Sequence, residues 1–252
     1  MRHLHQKPNG HAAVNAVDPR TRLLAAGILL ALVISSRGSA FPWQVAGICL
    51  PVALIAGMQP RLLLLRMLHP LFIALVILAL KTFMGAGESI ALIKISVVSI
   101  TGHPEGLREG LLISSRIMGA VSVAVLLGQV MTFTETMAAL AWLRMPRGLV
   151  DVAMFAWRAL FMLYDDAAVV YTAQKNRLGY CGMRRGLTSF GAMAGMLTIR
   201  AFDSSQAMTV AMTQRGYDGS LPLLRASRLG RLQLAGLAIF TILAGTAWKL
   251  QN

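Results

Sequence analysis

The sequence predicts an all-α integral membrane protein with about five transmembrane helices and a cytoplasmic helical domain inserted before the last span. Charged residues form only 13% of the chain and hydrophobic residues 56%, with a mean hydropathy of +0.63, whereas soluble domains carry about 25% charged residues. The 24 Lys and Arg against 10 Asp and Glu give a net charge of +14. These cations punctuate apolar stretches, as cytoplasmic loops of membrane proteins do. The pattern excludes an ordinary soluble enzyme, a disordered chain and a nucleic-acid-binding domain.

Five apolar stretches are candidate spans, because roughly 17–25 residues cross about 30 Å of hydrocarbon. Arg61 and Arg66 are expected to snorkel at the cytoplasmic end of the third span, which Pro70 kinks. Basic residues near the span ends place the N-terminus on the cytoplasmic side and the C-terminus on the outer side of the membrane. The expected location is the inner membrane. The spans are Leu23–Ser36, Phe41–Met58, Leu71–Met84, Gly110–Met131 and Leu232–Trp248.

Four domains follow from this pattern. Residues 1–22 are a cytoplasmic N-terminal segment, residues 23–131 hold the first four spans, and residues 232–252 hold the last span and the C-terminal tail. Residues 132–231 lie between them and contain 12 of the 24 basic residues. We expect this stretch to form amphipathic cytoplasmic helices that couple the membrane helices to a soluble partner.

Three helices are predicted in the cytoplasmic stretch. Thr134-Glu135 begins a short helix that Pro146 ends, a longer helix runs over Leu149–Arg177, and a third runs over Leu187–Arg215. The third is expected to break at a glycine or at an N-cap for a separate final helix. The candidate break points are Gly191, Gly195 and Phe202-Asp203-Ser204.

An arginine just before a glycine ends each of the two long helices, in Asn176-Arg177-Leu178-Gly179 and in Gln214-Arg215-Gly216. Two interpretations stay open. The arginine can stabilise the last carbonyls while glycine takes the left-handed position after the helix, or it can bind a partner. Methionines in the same stretch fit either a core or a surface that slides against a partner; they are Met183, Met193, Met196, Met208 and Met212.

The chain carries no sequence pattern of a P-loop, a nucleophile elbow or a zinc protease, so catalysis is not expected. Arg116 lies inside the fourth span, where it either serves a function, snorkels, or pairs with Glu109 or a helix end. His69 is either a ligand or a helix-end histidine satisfied by a backbone carbonyl. His3, His5 and His11 form only a weak candidate metal site, and Cys49 and Cys181 are not expected to pair. We predict no metal site and no cofactor.

Several segments together resemble one family, the CbiQ-type transmembrane T component of energy-coupling-factor (ECF) transporters for cobalt and nickel. The family carries two short x-Arg-x motifs on coupling helices, often Ala-Arg-Gly. They correspond here to Asn176-Arg177-Leu178, which differs at both flanks, and to Gln214-Arg215-Gly216, which differs at the first position. The other matching segments are Asp18-Pro19-Arg20-Thr21-Arg22-Leu23-Leu24, the Arg116 region after Glu105-Gly106-Leu107, and Met145-Pro146 with Tyr164-Asp165-Asp166.

The resemblance implies a non-catalytic subunit that joins a pair of CbiO-type ATPases to a CbiM-type membrane S component, with a small CbiN-like subunit. The two arginine motifs would enter grooves on the ATPases and transmit ATP-driven motion. Cobalt is the implied cargo, but the T component of a nickel or vitamin transporter would show similar sequence features. A self-contained permease or channel is the main alternative, and an intramembrane enzyme is a weaker one.

Overall fold

The computed structural model describes residues 18–84, 90–95, 98–102, 104–217 and 231–251. Within these ranges the protein is almost entirely helical, as the sequence predicts. The elements are α1 (Pro19–Ser35), α2 (Ala40–Ile55), α3 (Pro60–Met84), β1 (Ile90–Ile95), β2 (Val98–Gly102), α4 (Pro104–Val130), α5 (Phe133–Trp142), α6 (Arg147–Asn176), α7 (Met183–Gln214) and α8 (Arg231–Gln251).

The chain divides into two compact units. The membrane unit contains the described residues up to Thr136 and those of 227–252, and the α6–α7 unit contains the described residues of Met137–Ala226. Among the helices that the structure describes, three are long and apolar enough to cross a bilayer, and each belongs to the membrane unit: Pro60–Phe83, Pro104–Val130 and Gln233–Gln251. They coincide with the third, fourth and fifth predicted spans, and the class of all-α membrane protein is confirmed.

Helices α1 and α2 are shorter, at 17 and 16 residues. At about 1.5 Å per residue they extend roughly 25 Å, less than the roughly 30 Å of a hydrocarbon core. The number of spans therefore stays a prediction.

Helix α3 begins at Pro60, well before the predicted span start at Leu71. Pro60 is its first residue, a position where the missing N–H costs nothing, and Pro70 lies inside the helix. Arg61 and Arg66 are exposed in its first half, as snorkelling side chains would be.

A two-stranded hairpin between α3 and α4 is an addition that the sequence analysis did not predict. Strands β1 and β2 pair antiparallel, with Ile90 opposite Gly102 and Ile95 opposite Val98. The segment is rich in isoleucine and valine, which favour strands. The two strands have six and five residues, which is too short for a candidate membrane span.

Small residues on α4 allow the other helices of the membrane unit to pack closely against it. A Cβ atom at Gly110 would lie 3.1 Å from the side chain of Leu78 in α3, and one at Gly119 would lie 3.0 Å from the carbonyl oxygen of Pro42 in α2. Any larger residue at these positions would push the helices apart. The core beside them contains Ala26, Val33, Phe41, Val45, Cys49 and Val123.

The α6–α7 unit is built from two long amphipathic helices. The short helix α5 ends at Trp142, before the predicted end at Pro146, and Pro146 is the N-cap of α6, which starts at Arg147 and not at Leu149. Helix α7 is continuous over 32 residues and starts at Met183, so the predicted start at Leu187 and the predicted break at Gly191, Gly195 or Asp203 are wrong. A glycine inside a helix costs only about 1 kcal/mol relative to alanine. This cost is too small to break a helix of 32 residues.

Helices α6 and α7 run antiparallel. The first half of α6 and the second half of α7 line a shared apolar groove of about 680 Å³, with Val152 and Leu163 on one side and Met208 and Thr213 on the other. Farther along, Arg200 Nε lies 2.6 Å from Asp166 Oδ2 and joins the two helices. The C-terminal ends of α6 and α7 therefore lie at opposite ends of this unit.

Candidate functional site

Helix α6 ends at Arg177 in a Schellman motif, a turn that satisfies the last helical carbonyls. The N–H of Leu178 donates to the carbonyl of Lys175 at 3.1 Å, and the N–H of Gly179 donates to the carbonyl of Gln174 at 2.9 Å. Arg177 occupies the C-cap position, with φ −91° and ψ 16°. Its side chain leaves the helix where the macrodipole is negative and favours a cation.

Helix α7 ends at Arg215 with the same hydrogen-bond pattern. The N–H of Gly216 donates to the carbonyl of Thr213 and the N–H of Tyr217 to the carbonyl of Met212, both at 3.1 Å. Arg215 is again the C-cap, with φ −91° and ψ 10°. The two three-residue motifs therefore have one backbone structure, in which arginine is always the C-cap.

The residue after the arginine differs between the two ends. Gly216 takes the left-handed conformation with φ 72°, as predicted, but at the first end Leu178 takes it, with φ 60°. The prediction that glycine fills this position is thus wrong for α6. A Cβ atom at Gly179 would lie 2.8 Å from Ser189 Oγ and 2.9 Å from the carbonyl oxygen of Gln174, so glycine is needed one residue later, for close approach.

The turn between α6 and α7 is held by side-chain hydrogen bonds. Ser189 Oγ donates to the carbonyl of Gly179 at 2.9 Å, and the hydroxyl of Tyr180 donates to Gln174 Oε1 at 2.7 Å. The ring of Tyr180 also lies 5.0 Å from that of Tyr171. These contacts fix the direction in which the α6 end points.

Both arginine side chains are exposed. Within the described residues, neither guanidinium has a hydrogen bond or an ion pair, and the flanking Asn176 and Gln214 are exposed as well. At about 1.5 Å per residue, the 32 residues of α7 separate the two ends by roughly 48 Å. The α6–α7 unit thus presents two similar cationic tips that are too far apart for one small groove to hold both.

Arg116 occupies a different setting in the membrane unit. Its Nε donates to the carbonyl oxygen of Ser36 at 3.0 Å, and a second guanidinium nitrogen donates to the same oxygen. Ser36 is the C-cap of α1 and is buried. Of the three structural roles predicted for Arg116, pairing with a helix end is confirmed. Pairing with Glu109 is wrong, because Glu109 binds Lys81 at 2.9 Å, and snorkelling is wrong, because the guanidinium binds Ser36.

A second arginine makes the reciprocal contact. Arg22, in the first turn of α1, donates to the carbonyl of Val130, the last residue of α4, at 3.0 Å. Helices α1 and α4 are therefore antiparallel, and an arginine from each binds the C-terminal end of the other. Arg116 stood out in the sequence because it lies in an apolar span, whereas Arg22, one of several cations at the N-terminal end of α1, carried no such signal.

His69 contacts a backbone carbonyl of its own helix. Its Nδ1 lies 3.3 Å from the carbonyl oxygen of Leu65, four residues earlier in α3, as predicted, but His69 lies inside α3 and not at a helix end. His3, His5 and His11 lie outside the described residues. Among the described residues no group of three or more His, Cys, Asp or Glu is placed to hold a metal ion.

Comparison with known proteins decides the family. The sequence model of CbiQ, described as cobalt transport protein, matches residues 11–224, a stretch that includes both arginine-capped helix ends and both membrane arginines. The chain belongs to the CbiQ cobalt transport protein family.

Two CbiQ-family relatives match different lengths of the chain. It is 32% identical to cobalt transport protein CbiQ of Salmonella typhimurium over 43% of this chain and 48% of that protein. It is 30% identical to a putative fused cobalt transport protein CbiMQ of Methanocorpusculum labreanum over 72% of this chain and 31% of that protein. The chain thus spans less than half the length of these two relatives.

A longer match links this CbiQ-family chain to a second named component. It is 26% identical to the energy-coupling factor transporter transmembrane protein EcfT of Staphylococcus aureus over 82% of this chain and 81% of that protein. Together with the apolar helices, these similarities identify a membrane protein of a transport family.

Proposed function

We propose that the chain is the non-catalytic transmembrane T component of an ECF-type importer for cobalt ions. It would transmit ATP-driven motion from a pair of CbiO-type ATPases to a CbiM-type S component, accompanied by a CbiN-like subunit. Membership of the CbiQ family and similarity to EcfT support the assignment. The chain itself would neither bind cobalt nor hydrolyse ATP.

The observation that carries the proposal is the pair of exposed arginine C-caps at opposite ends of the α6–α7 unit. A guanidinium has a planar fork that pairs with a carboxylate through two parallel hydrogen bonds. Two identical tips roughly 48 Å apart along α7 fit two separate acidic grooves, one on each ATPase of a pair. When the two ATPases close on ATP, they would then pull on both ends of the α6–α7 unit.

The proposed orientation follows the positive charge. Residues 1–22 and 132–231 would lie in the cytoplasm, where the ATPases are, while residues 23–131 and 232–252 would cross the inner membrane. The family name supports cobalt as cargo. Specificity would reside in the S component, so copurification with an S component for nickel or a vitamin would change the cargo without changing this subunit's role.

The test compares Arg177→Ala and Arg215→Ala in the full transporter. Truncating an anchor whose carboxylate partner stays buried costs about 2–5 kcal/mol, or at least roughly a 30-fold loss of affinity. We expect each variant to lose ⁵⁷Co uptake in cells and to retain less ATPase during purification in detergent. Arg158→Ala is the matched control, since Arg158 is also an exposed arginine of α6 but lies away from the helix end.

Full uptake and full ATPase retention in both Arg177→Ala and Arg215→Ala would exclude the coupling role. Uptake by the purified chain alone in proteoliposomes, without ATP, would instead support the permease alternative.

A further inference from the structure

The turn between α6 and α7 carries a second feature that the arginine motif alone does not explain. A shallow, solvent-open depression of about 810 Å³ lies there, lined among others by Arg177, Cys181, Arg184 and Arg185. We name it the basic cup, defined by its three arginines. Its lining, all within the described residues, contains no carboxylate.

The start of α7 makes the basic cup still more positive. Gly182, with φ +91°, precedes the helix and offers no side chain to cap its first N–H groups, and the first turn contains no acidic residue. A helix N-terminus carries a partial positive charge, so cations in its first turn are disfavoured. Arg184 and Arg185 nevertheless occupy that turn. Neither guanidinium has a partner within the described residues, and both side chains are exposed.

Three cations and an uncapped helix start therefore face one concavity without an internal anion to balance them. This arrangement is unfavourable for the isolated chain and becomes favourable once an anionic group enters. Ser189 binds the carbonyl of Gly179 across the turn at 2.9 Å and joins the start of α7 to the end of α6. Because Arg177 is both the proposed ATPase anchor and part of the basic cup, an ATPase bound at Arg177 would bring its acidic groove next to Arg184 and Arg185.

We propose that the basic cup receives one or more carboxylates of the ATPase that binds Arg177, and that Arg184 and Arg185 are binding residues of that interface. The inference rests on the proposed function, since it deepens the α6 contact from one arginine to three. The α6 end would then bind the ATPase in two ways. Carboxylates of the ATPase would bind in the basic cup, and Arg177 would bind in a groove of the ATPase.

Cys181 supplies a reporter inside the basic cup. The chain has two cysteines, of which Cys181 is exposed and Cys49 is buried. Fluorescein maleimide should therefore label Cys181 readily in the purified chain. We expect the labelling rate to fall at least tenfold in the assembled complex with its ATPases, and to stay unchanged when vesicles of anionic lipid replace the ATPases.

The charge contribution is tested with Arg184→Gln/Arg185→Gln, measured as the apparent affinity of the ATPases for the transporter at low and high salt. We expect a loss of at least tenfold and a weaker salt dependence, with recovery in Arg184→Lys/Arg185→Lys. Arg144→Gln/Arg158→Gln is the matched control, because it removes two exposed arginines of the same unit outside the basic cup. Its affinity should stay within twofold of wild type.

The outcomes separate the two proposals. If ATPases bind in an Arg177-dependent manner but Cys181 labelling is unaffected and the glutamine pair behaves like its control, the basic cup is not part of the interface. If anionic vesicles alone protect Cys181, the cup is a lipid-binding surface and the inference is overturned. If no ATPase binds wild type at all, the proposed function itself fails.

Discussion

The membrane unit and the α6–α7 unit each place two arginines at helix C-termini, but they use the guanidinium in opposite ways. In the membrane unit, Arg22 and Arg116 reach across to the terminal carbonyls of a neighbouring helix. In the α6–α7 unit, Arg177 and Arg215 cap their own helices through the backbone and leave the guanidinium exposed. The residue type is the same, but the N–H donors of the guanidinium bind backbone carbonyls in one unit and stay exposed in the other.

Whether the guanidinium is bound within the fold or exposed distinguishes a structural arginine from a partner-binding one better than residue type does. A guanidinium that binds a helix-end carbonyl within the membrane unit satisfies two half-buried polar groups that would otherwise be costly to bury. An exposed guanidinium adds little to folding and keeps its hydrogen-bonding capacity for a partner. Stability measurements should therefore divide the four arginines into two pairs.

The largest loss of stability is expected for Arg116→Ala. The change removes two charged hydrogen bonds to Ser36 and leaves a buried carbonyl without a donor, which should lower the free energy of unfolding by about 2–4 kcal/mol. The measurement is denaturant-induced unfolding in detergent micelles, followed by tryptophan fluorescence. Arg108→Ala is the control, because Arg108 is an exposed arginine of the same helix α4. Equal midpoints for the two variants would contradict a clamp at Ser36.

A smaller loss is expected for Arg22→Ala, which removes one hydrogen bond to Val130 at 3.0 Å. A hydrogen bond from a charged donor contributes about 1.5–3 kcal/mol, and the partly exposed start of α1 should keep the loss near the lower value. The same unfolding measurement applies. A double variant with Arg116→Ala tests whether the two contacts act independently at the two ends of α1, in which case the losses add.

The sequence predicted these features unevenly. Three of the predicted spans, the two amphipathic helices and the helix-end positions of Arg177 and Arg215 followed from local signals. Hydrophobic runs and a glycine soon after the last helical residue act over a few residues. The partner of Arg116 did not follow, because Ser36 is 80 residues away and only the packing of α1 on α4 brings them together. Helical spacing suggested Glu109 instead, which Lys81 of α3 binds.

The basic cup was beyond the sequence analysis for a related reason. Arg184 and Arg185 are visible as charges, but their proximity to Arg177 depends on the turn that Ser189 and Gly179 close. Gly191 and Gly195 favour a break in α7 by local propensity, but the helix is continuous, because helix propensity is a weak determinant in a long helix. Contacts between distant segments, rather than helix content, account for what was missed.

The two arginine-capped ends themselves differ at one residue, and exchanging that difference should move stability in opposite directions. Leu178 has φ 60° and Gly216 φ 72°, a region that costs roughly 1–2 kcal/mol for residues other than glycine. Leu178→Gly should therefore stabilise the α6 end by about 1 kcal/mol, and Gly216→Ala, which meets open space, should destabilise the α7 end by a similar amount.

Hydrogen exchange at the amides of Gly179 and Tyr217, each of which closes its Schellman motif, measures the two ends separately. Slower exchange at Gly179 in Leu178→Gly and faster exchange at Tyr217 in Gly216→Ala are the expected results. Shifts of the same sign at both ends would show that the left-handed residue does not control either turn.

The smallest effect on stability is expected where the effect on transport is largest. Arg177→Ala and Arg215→Ala remove exposed guanidiniums while the Schellman backbone hydrogen bonds remain, so each should change the free energy of unfolding by no more than about 0.5 kcal/mol. Measured beside Arg116→Ala in the same micelles, they should unfold at the wild-type midpoint. A loss comparable to that of Arg116→Ala would mean that these side chains hold the fold together, and reduced uptake in the same variants would then report damage to the fold instead of a lost grip on a partner.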